Sequence, residues 1–254
     1  MDGLSWMLAV AGGPLIILAV GYPRAARTGG QRLQSLVVAA GMALAVNIAL
    51  DVIRTILFAV SAAALDDPLL SFGADGLVFV SPLYLASIGI VAHIAWGLMP
   101  RGIREDSRIV ALPEDDALPF VAGALLAAAT GLWLAGRTEP PVSLSTYAAL
   151  SLFVFGFYWP MLAHALEEDE PSAKLPWQTI TLAAAVALNP LPDLWDALRS
   201  GGETLSKGMI AWLVSQFALL VLLGVVRARA KSVLAVLLVA FGGHLAAVVA
   251  GGLF

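Results

Sequence analysis

The chain contains no cysteine, and only 13% of its 254 residues are charged. Without thiols, disulfides, iron–sulfur clusters, thiolate zinc sites and cysteine nucleophiles are excluded. The shortage of charge is equally restrictive, because an ordinary soluble domain has about 25% charged residues. With 60% hydrophobic residues and a mean hydropathy of +0.89, the chain is predicted to be an all-α integral membrane protein. Its expected partner is therefore the lipid bilayer, and a net charge of -4 predicts no nucleic acid.

Eight stretches of the chain are long and apolar enough to cross about 30 Å of hydrocarbon as helices. The second apolar stretch, from Leu33 to Leu65, is longer than one span. It has no glycine or proline after Met42 to form a turn, so a single long helix is predicted there. The eight predicted spans are residues 4–22, 34–60, 77–99, 117–135, 145–166, 177–198, 208–226 and 232–252.

Basic residues orient these spans, because short cytoplasmic loops collect lysine and arginine. Three basic clusters follow spans one, three and seven. They fall on one side of the bilayer only if an even number of crossings separates each pair, which the eight predicted spans provide. We therefore predict a multi-pass protein of the cell membrane whose N- and C-termini are both extracytoplasmic. The clusters are Arg24, Arg27 and Arg32; Arg101, Arg104 and Arg108; and Arg227, Arg229 and Lys231.

Short patterns recur in the same order in the two halves of the chain. Span two contains Asn47 and Asp51, and span six contains Asn189 and Asp193 at the same spacing. Four spans in each half is an even number, so the two halves would share one orientation in the membrane. We expect a bundle of eight transmembrane helices made of two parallel four-helix repeats, residues 1–136 and 144–254, in a single membrane domain.

A polar stripe runs along span two. Asn47, Asp51 and Arg54 stand at positions i, i+4 and i+7, which share one face of a helix. Ionisable groups inside a membrane usually face the bundle interior or a water-filled cavity. The stripe therefore indicates a site for an ion or solute, with Asp51 accepting a proton or cation. The alternative is an Asp51–Arg54 pair that serves only packing near the outer interface.

Span six is interrupted by the sequence Asn189-Pro-Leu-Pro-Asp193. Its two prolines remove backbone donors, and broken helices build substrate and ion sites in many transporters. The alternative is that the helix ends before Asn189 and that an outer loop follows. If the repeat holds, Asn47 approaches Asn189, with Asp51 and Asp193 beyond them. This predicts a small transporter or channel-like permease whose polar site lies between spans two and six.

Histidines suggest a different class of site. His93 and His164 lie near the inner ends of their spans, and His164 has Glu167 and Glu168 at i+3 and i+4, where a carboxylate can reach or orient an imidazole. Such groups are adequate ligands for a metal or haem. No His-Glu-x-x-His motif is present, however, and no cofactor is predicted.

Two further interpretations stay open. The aromatic run Phe153, Phe155, Phe157, Tyr158 and Trp159 could floor a hydrophobic pocket or pack against neighbouring helices. The protein could also be a non-catalytic subunit of a larger membrane complex, a homo-oligomer, a membrane-embedded lipid-modifying enzyme or a haem protein.

The topology can be tested by labelling, because a chain without cysteine accepts single reporter thiols. Asp75→Cys should react with an impermeant maleimide on intact cells, whereas Ser107→Cys should react only after the membrane is opened. The reason is that three basic clusters place residue 107 on the cytoplasmic side. Labelling at residue 107 and protection at residue 75 would reverse the orientation.

Overall fold

A computed structural model describes residues 3–28, 30–64, 74–106, 111–113, 115–134, 150–166 and 207–253. The regular structure within these ranges is entirely helical. In chain order its elements are α1 (Gly3–Thr28), α2 (Gly30–Ala64), α3 (Ala74–Leu98), the short α4 (Arg101–Asp106), a 3-10 turn (Asp115–Ala117), α5 (Leu118–Leu134), a π-helical segment (Leu150–Tyr158), α6 (Trp159–Leu166), α7 (Lys207–Ala230) and α8 (Val233–Leu253).

Three stretches of the described chain are long and apolar enough to cross a membrane: Gly30–Ile53, Asp115–Leu134 and Val233–Gly251. Two shorter apolar helices, Ala86–Leu98 and Ser151–Leu166, accompany them. By length and composition these are the helices of a membrane protein, and the all-helical prediction is confirmed for the described residues. The count of eight crossings stays a prediction, because the sixth span at 177–198 lies outside those residues. The same gap leaves the two-repeat division untested.

Helices α1 and α2 form a long antiparallel pair, with α1 ending at Thr28 and α2 beginning at Gly30. As the sequence predicted, α2 is a single helix of 35 residues. At 1.5 Å per residue it is about 50 Å long, well beyond the hydrocarbon core. The pair is close at Gly21, where an added Cβ would lie 2.6 Å from Leu36 Cδ1. A side chain at position 21 would therefore require Leu36 to adopt another rotamer.

The core of the described bundle is the fifth predicted span, which forms the π-helical segment and α6. The π-helical segment packs against α2, α3 and α8, while α6 packs against α1, α2 and α4. Residues 153–162 are all buried, and Met161 and Leu162 are completely inaccessible. The middle of span five is therefore enclosed by protein, whereas His164 near its end is exposed.

A two-residue turn joins α7 to α8 and corrects the end of span seven. The sequence predicts that this span ends at residue 226, but α7 continues to Ala230 and includes Arg227 and Arg229. Lys231 then adopts a left-handed conformation with φ of 48°, and its N–H donates to the carbonyl of Arg227 at 3.0 Å. This bond is the αL termination of a helix. The basic cluster after span seven is therefore partly helical.

The next residue, Ser232, begins α8 as its N-cap. The N–H of Ala235 donates to Ser232 Oγ at 3.2 Å, which satisfies one of the free donors of the first helical turn. The same hydroxyl donates to the carbonyl of Ala111 at 2.6 Å. Ser232 is fully buried, so one side chain caps α8 and ties it to the segment that precedes α5.

Helices α5 and α8 make the most extensive contact in the described bundle. A Cβ on Gly243 would lie 2.8 Å from Ala128 Cβ and 3.5 Å from the backbone nitrogen of Ala129. A Cβ on Gly242 would lie 3.1 Å from Leu125 Cδ1. Small residues at such crossings let membrane helices approach closely and gain van der Waals contact.

This packing predicts opposite effects for the same substitution on two facing helices. Gly243→Ala should lower the free energy of unfolding by about 1–3 kcal/mol, because the new methyl meets a backbone that cannot move aside easily. Gly123→Ala on α5 has nothing within 4 Å of the new Cβ. It should raise stability by about 0.5–1 kcal/mol, because alanine loses less entropy in a helix. Thermal melting in detergent measures both, and equal effects would contradict the close crossing.

Candidate functional site

The polar stripe of α2 contacts α1. Asn47 Nδ2 donates to the carbonyl of Val10 at 3.1 Å, and Trp6 Nε1 donates to Asp51 Oδ2 at 2.9 Å. Both Asn47 and Asp51 are half-buried. The stripe therefore contributes two cross-links between the first two helices, one to a backbone carbonyl and one to an indole.

Trp6 is a residue that the sequence analysis missed as part of this site. A usable signal was present in the chain, because Trp6 and Asp51 are nearly equidistant from residue 29, and so are Val10 and Asn47. Residues at equal distances from the turn of an antiparallel helix pair lie at the same depth. An indole N–H at the depth of a carboxylate is a natural donor for it.

Several predicted site residues lie beyond what the structure describes. Asn189, Asp193, Glu167 and Glu168 lie outside the described residues, and so does the side chain of Arg54. The approach of Asp51 to Asp193 between spans two and six stays a prediction.

The two histidines proposed as ligands are both exposed, His93 on α3 and His164 on α6. Within the described ranges, no three or more histidine, aspartate and glutamate side chains cluster closely enough to hold a metal ion. The metal or haem interpretation therefore gains no support from the described part of the chain.

The most unusual backbone is in span five, where residues Leu150–Tyr158 form a π-helix of nine residues. π-helical geometry is rare, is mostly confined to single turns, and is frequent at functional sites. The aromatic run lies in this segment and packs inward. Phe153 and Phe157 stack with centroids 5.7 Å apart, and Trp96 of α3 meets Phe157 edge-on at 6.4 Å. These rings fill the interior of the bundle.

Pro160 explains why the carbonyl of Phe155 accepts a hydrogen bond from another helix. In a π-helix each N–H donates to the carbonyl five residues earlier, so residue 160 would serve the carbonyl of Phe155. Proline has no N–H, and the Phe155 carbonyl needs another donor. Arg227 of α7 provides it, with Nε donating to the Phe155 oxygen at 3.0 Å.

Arg227 is only 5% exposed. Burying a charged side chain is costly unless it is paired, and arginines inside membrane bundles characteristically pair with carbonyls or other groups there. Sequence analysis assigned Arg227 to a basic loop because it follows an apolar run. The proline five residues after Phe155 was the signal that a carbonyl needed an outside donor.

Two other polar side chains are buried in span five. The hydroxyls of Ser151 and Tyr158 have no hydrogen-bond partner within the described part of the chain. Ser151 is 1% exposed and Tyr158 is 6% exposed. Leaving a buried polar group unpaired costs about 1–3 kcal/mol. The segment therefore holds three buried polar groups, Ser151, Tyr158 and the Arg227 that reaches it from α7.

A second basic residue, Arg104 of α4, contacts the same aromatic cluster. Arg104 Nη2 donates to the carbonyls of Gly97 at 3.2 Å and Met99 at 2.9 Å, which satisfies carbonyls at the end of α3. Its guanidinium also lies 5.7 Å from the centre of the Trp96 ring, within the range of a cation–π contact. Arg104 therefore has a structural use besides its place in a basic cluster.

A cavity of about 150 Å³ lies between α5 and α7. It contains no ionisable side chain, and none of the predicted site residues lines it. Its lining is Ala127, Ala128, Gly131, Leu132, Ser215, Ala218, Leu219 and Leu222. Ser215 is the one lining residue with a polar side chain, so the surface of this cavity is mostly apolar.

No protein family, curated protein or solved structure matches this chain. Functional inference therefore rests on the geometry of its own residues.

The unpaired hydroxyls predict a contrast between two buried serines. Ser151→Ala should leave stability unchanged or raise it, because the change removes a buried hydroxyl that has no partner in the described structure. Ser232→Ala should lower the free energy of unfolding by about 1 kcal/mol or more, since it removes the cap of α8 and the bond to Ala111. Melting temperatures in one detergent compare the two. A loss at Ser151 as large as that at Ser232 would mean that the Ser151 hydroxyl is bonded.

Proposed function

We propose that this protein is a small multi-pass membrane transporter or channel-like permease for protons or small cations. In this proposal eight helices form two parallel four-helix repeats, with the termini extracytoplasmic, and Asp51 is the group that binds the ion. Asn47 and Trp6 position that carboxylate, while Asn189 and Asp193 would complete the site from span six.

The observation that carries the proposal is the position of Asp51. Its carboxylate belongs to α2 within the apolar stretch Gly30–Ile53 and is half-buried. A charged group at this depth opposes membrane insertion, and intramembrane carboxylates characteristically mark ion pathways and proton relays. Membrane insertion alone would favour an apolar residue at this position.

The contacts of Asp51 are compatible with reversible ion binding. A carboxylate has about four acceptor sites on its two oxygens, and the Trp6 bond uses one of them. Trp6 can therefore continue to donate to one oxygen while a proton or cation occupies the other acceptor sites. The Asn47–Val10 bond holds the preceding turn of α2 against α1, which keeps the carboxylate at a defined depth.

A purely structural use of the same contacts is the competing interpretation. The Trp6 and Asn47 bonds cross-link α1 to α2, and a polar cross-link of this kind contributes about 0.6 kcal/mol on average in a membrane bundle. Transport and packing predict different responses to loss of the charge, because the cross-link needs only an acceptor whereas ion binding needs a titratable group.

Asp51→Asn separates the two, because the amide keeps the volume and the acceptor for Trp6 but cannot titrate. In liposomes with an entrapped pH dye or sodium dye and an imposed potential, we expect proton or Na⁺ flux to be lost while the melting temperature is retained. Asp116→Asn, an exposed carboxylate before α5, is the matched control and should leave flux unchanged. Preserved flux with a destabilised protein that Arg54→Gln rescues would assign Asp51 to packing.

A further inference from the structure

Pro160 leaves one carbonyl of span five without a backbone donor, and which carbonyl this is depends on the hydrogen-bond register of the helix. Because it has no N–H, one carbonyl of the preceding turns always loses its backbone donor. In an α-helix, whose bonds run to the fourth preceding residue, that carbonyl would belong to Gly156. In a π-helix, whose bonds run to the fifth, it belongs to Phe155. The residue left without a donor therefore depends on the register.

Arg227 bonds the carbonyl that belongs to the π register. Its Nε donates to the Phe155 oxygen at 3.0 Å, in a buried position. In the α register the same oxygen would already accept from the backbone N–H of Trp159, so the Arg227 bond would no longer replace a missing backbone donor. A charge-assisted bond inside the bundle is stronger than a neutral one. The Arg227 contact therefore favours the π register over the α register.

The π-helical segment also contains two buried polar groups that lack partners among the described residues. The hydroxyls of Ser151 and Tyr158 are buried without a hydrogen bond in the part of the chain that the structure describes. A shift of one residue turns the helix by about 100°, so a change of register would carry Ser151 to a different face. Interchange between two packed registers is a recognised kind of two-state element.

The two halves of span five, which meet at Pro160, have different neighbours. Beyond Pro160, α6 packs against α1, α2 and α4, and Met161 and Leu162 are fully buried. Before Pro160, the π-helical segment packs against α2, α3 and α8, and Phe157 meets Trp96 of α3 edge-on. A change of register concerns only the half before Pro160, because α6 is already α-helical.

We propose that span five is a π-to-α register switch, latched in the π register by Arg227. Release of the Phe155 carbonyl lets residues 150–158 rewind as an α-helix and rotates Ser151 relative to α2, α3 and α8. The switch does not depend on Asp51 or on the transport proposal.

The latch is tested by a double-mutant cycle between Arg227 and Pro160. Pro160→Ala returns an N–H that can serve the Phe155 carbonyl, so Arg227 is no longer its sole source of a donor. Arg227→Gln should raise the unfolding equilibrium constant about tenfold or more in the native background, as expected for a lost bond to a charged group. In the Pro160→Ala background the increase should be several-fold smaller. Equal effects in the two backgrounds would overturn the latch.

Arg229→Gln is the matched control for this cycle. Arg229 lies two residues along the same helix, is exposed and rests over the ring of Phe120 at 4.9 Å. Its effect should be the same with and without Pro160→Ala. If Arg227→Gln alone does not fold, the double variant should regain folding. A double variant that also fails to fold would overturn the latch.

The switch itself is tested by the register that the released segment adopts. An experimental structure of Arg227→Gln in lipid nanodiscs should show residues 150–158 as an α-helix, with Trp159 N–H bonded to the Phe155 carbonyl. The same determination on Arg229→Gln should show the π-helix. A π-helix retained in Arg227→Gln would overturn the switch.

Discussion

The described fold depends on a single carbonyl oxygen that its own helix cannot satisfy. Pro160 denies the Phe155 carbonyl a backbone donor, and Arg227 reaches across from α7 to supply one. In a hydrocarbon environment an unpaired backbone group costs several kcal/mol, so this bond stabilises the wide helical register of span five. That span is central to the described bundle, because α2, α3 and α8 all pack against it.

Elsewhere the bundle is held by devices suited to a medium without a hydrophobic driving force between helices. Close approach replaces burial from water, as at Gly21 beneath Leu36 and at Gly243 against Ala128. Helix ends are satisfied locally, by Lys231 in a left-handed conformation, by the buried Ser232 cap and by Arg104 on the carbonyls that end α3. These contacts pair N–H and carbonyl groups at the helix ends that would otherwise lack partners.

Asp51 and Arg227 are two opposite uses of charge inside one bundle. Arg227 is buried and bonds a backbone oxygen, which explains its presence without any ligand. Asp51 is half-buried and accepts a hydrogen bond from an indole near the end of α1, and an uncharged amide would accept that bond equally well. Because an amide would suffice for packing, the carboxylate of Asp51 is the group to which our proposal assigns ion binding.

Composition alone indicated a helical protein suited to the lipid bilayer, because that follows from summed hydrophobicity. The single long helix α2 also followed from the sequence, because no glycine or proline lies between Met42 and its end. The i, i+4 spacing also placed Asn47 and Asp51 on one face. Only tertiary structure decided that this face meets Trp6 and Val10, that Arg227 turns inward and that span five is π-helical. Those features depend on which donor lies opposite which acceptor across different helices, a relation that local sequence patterns do not contain.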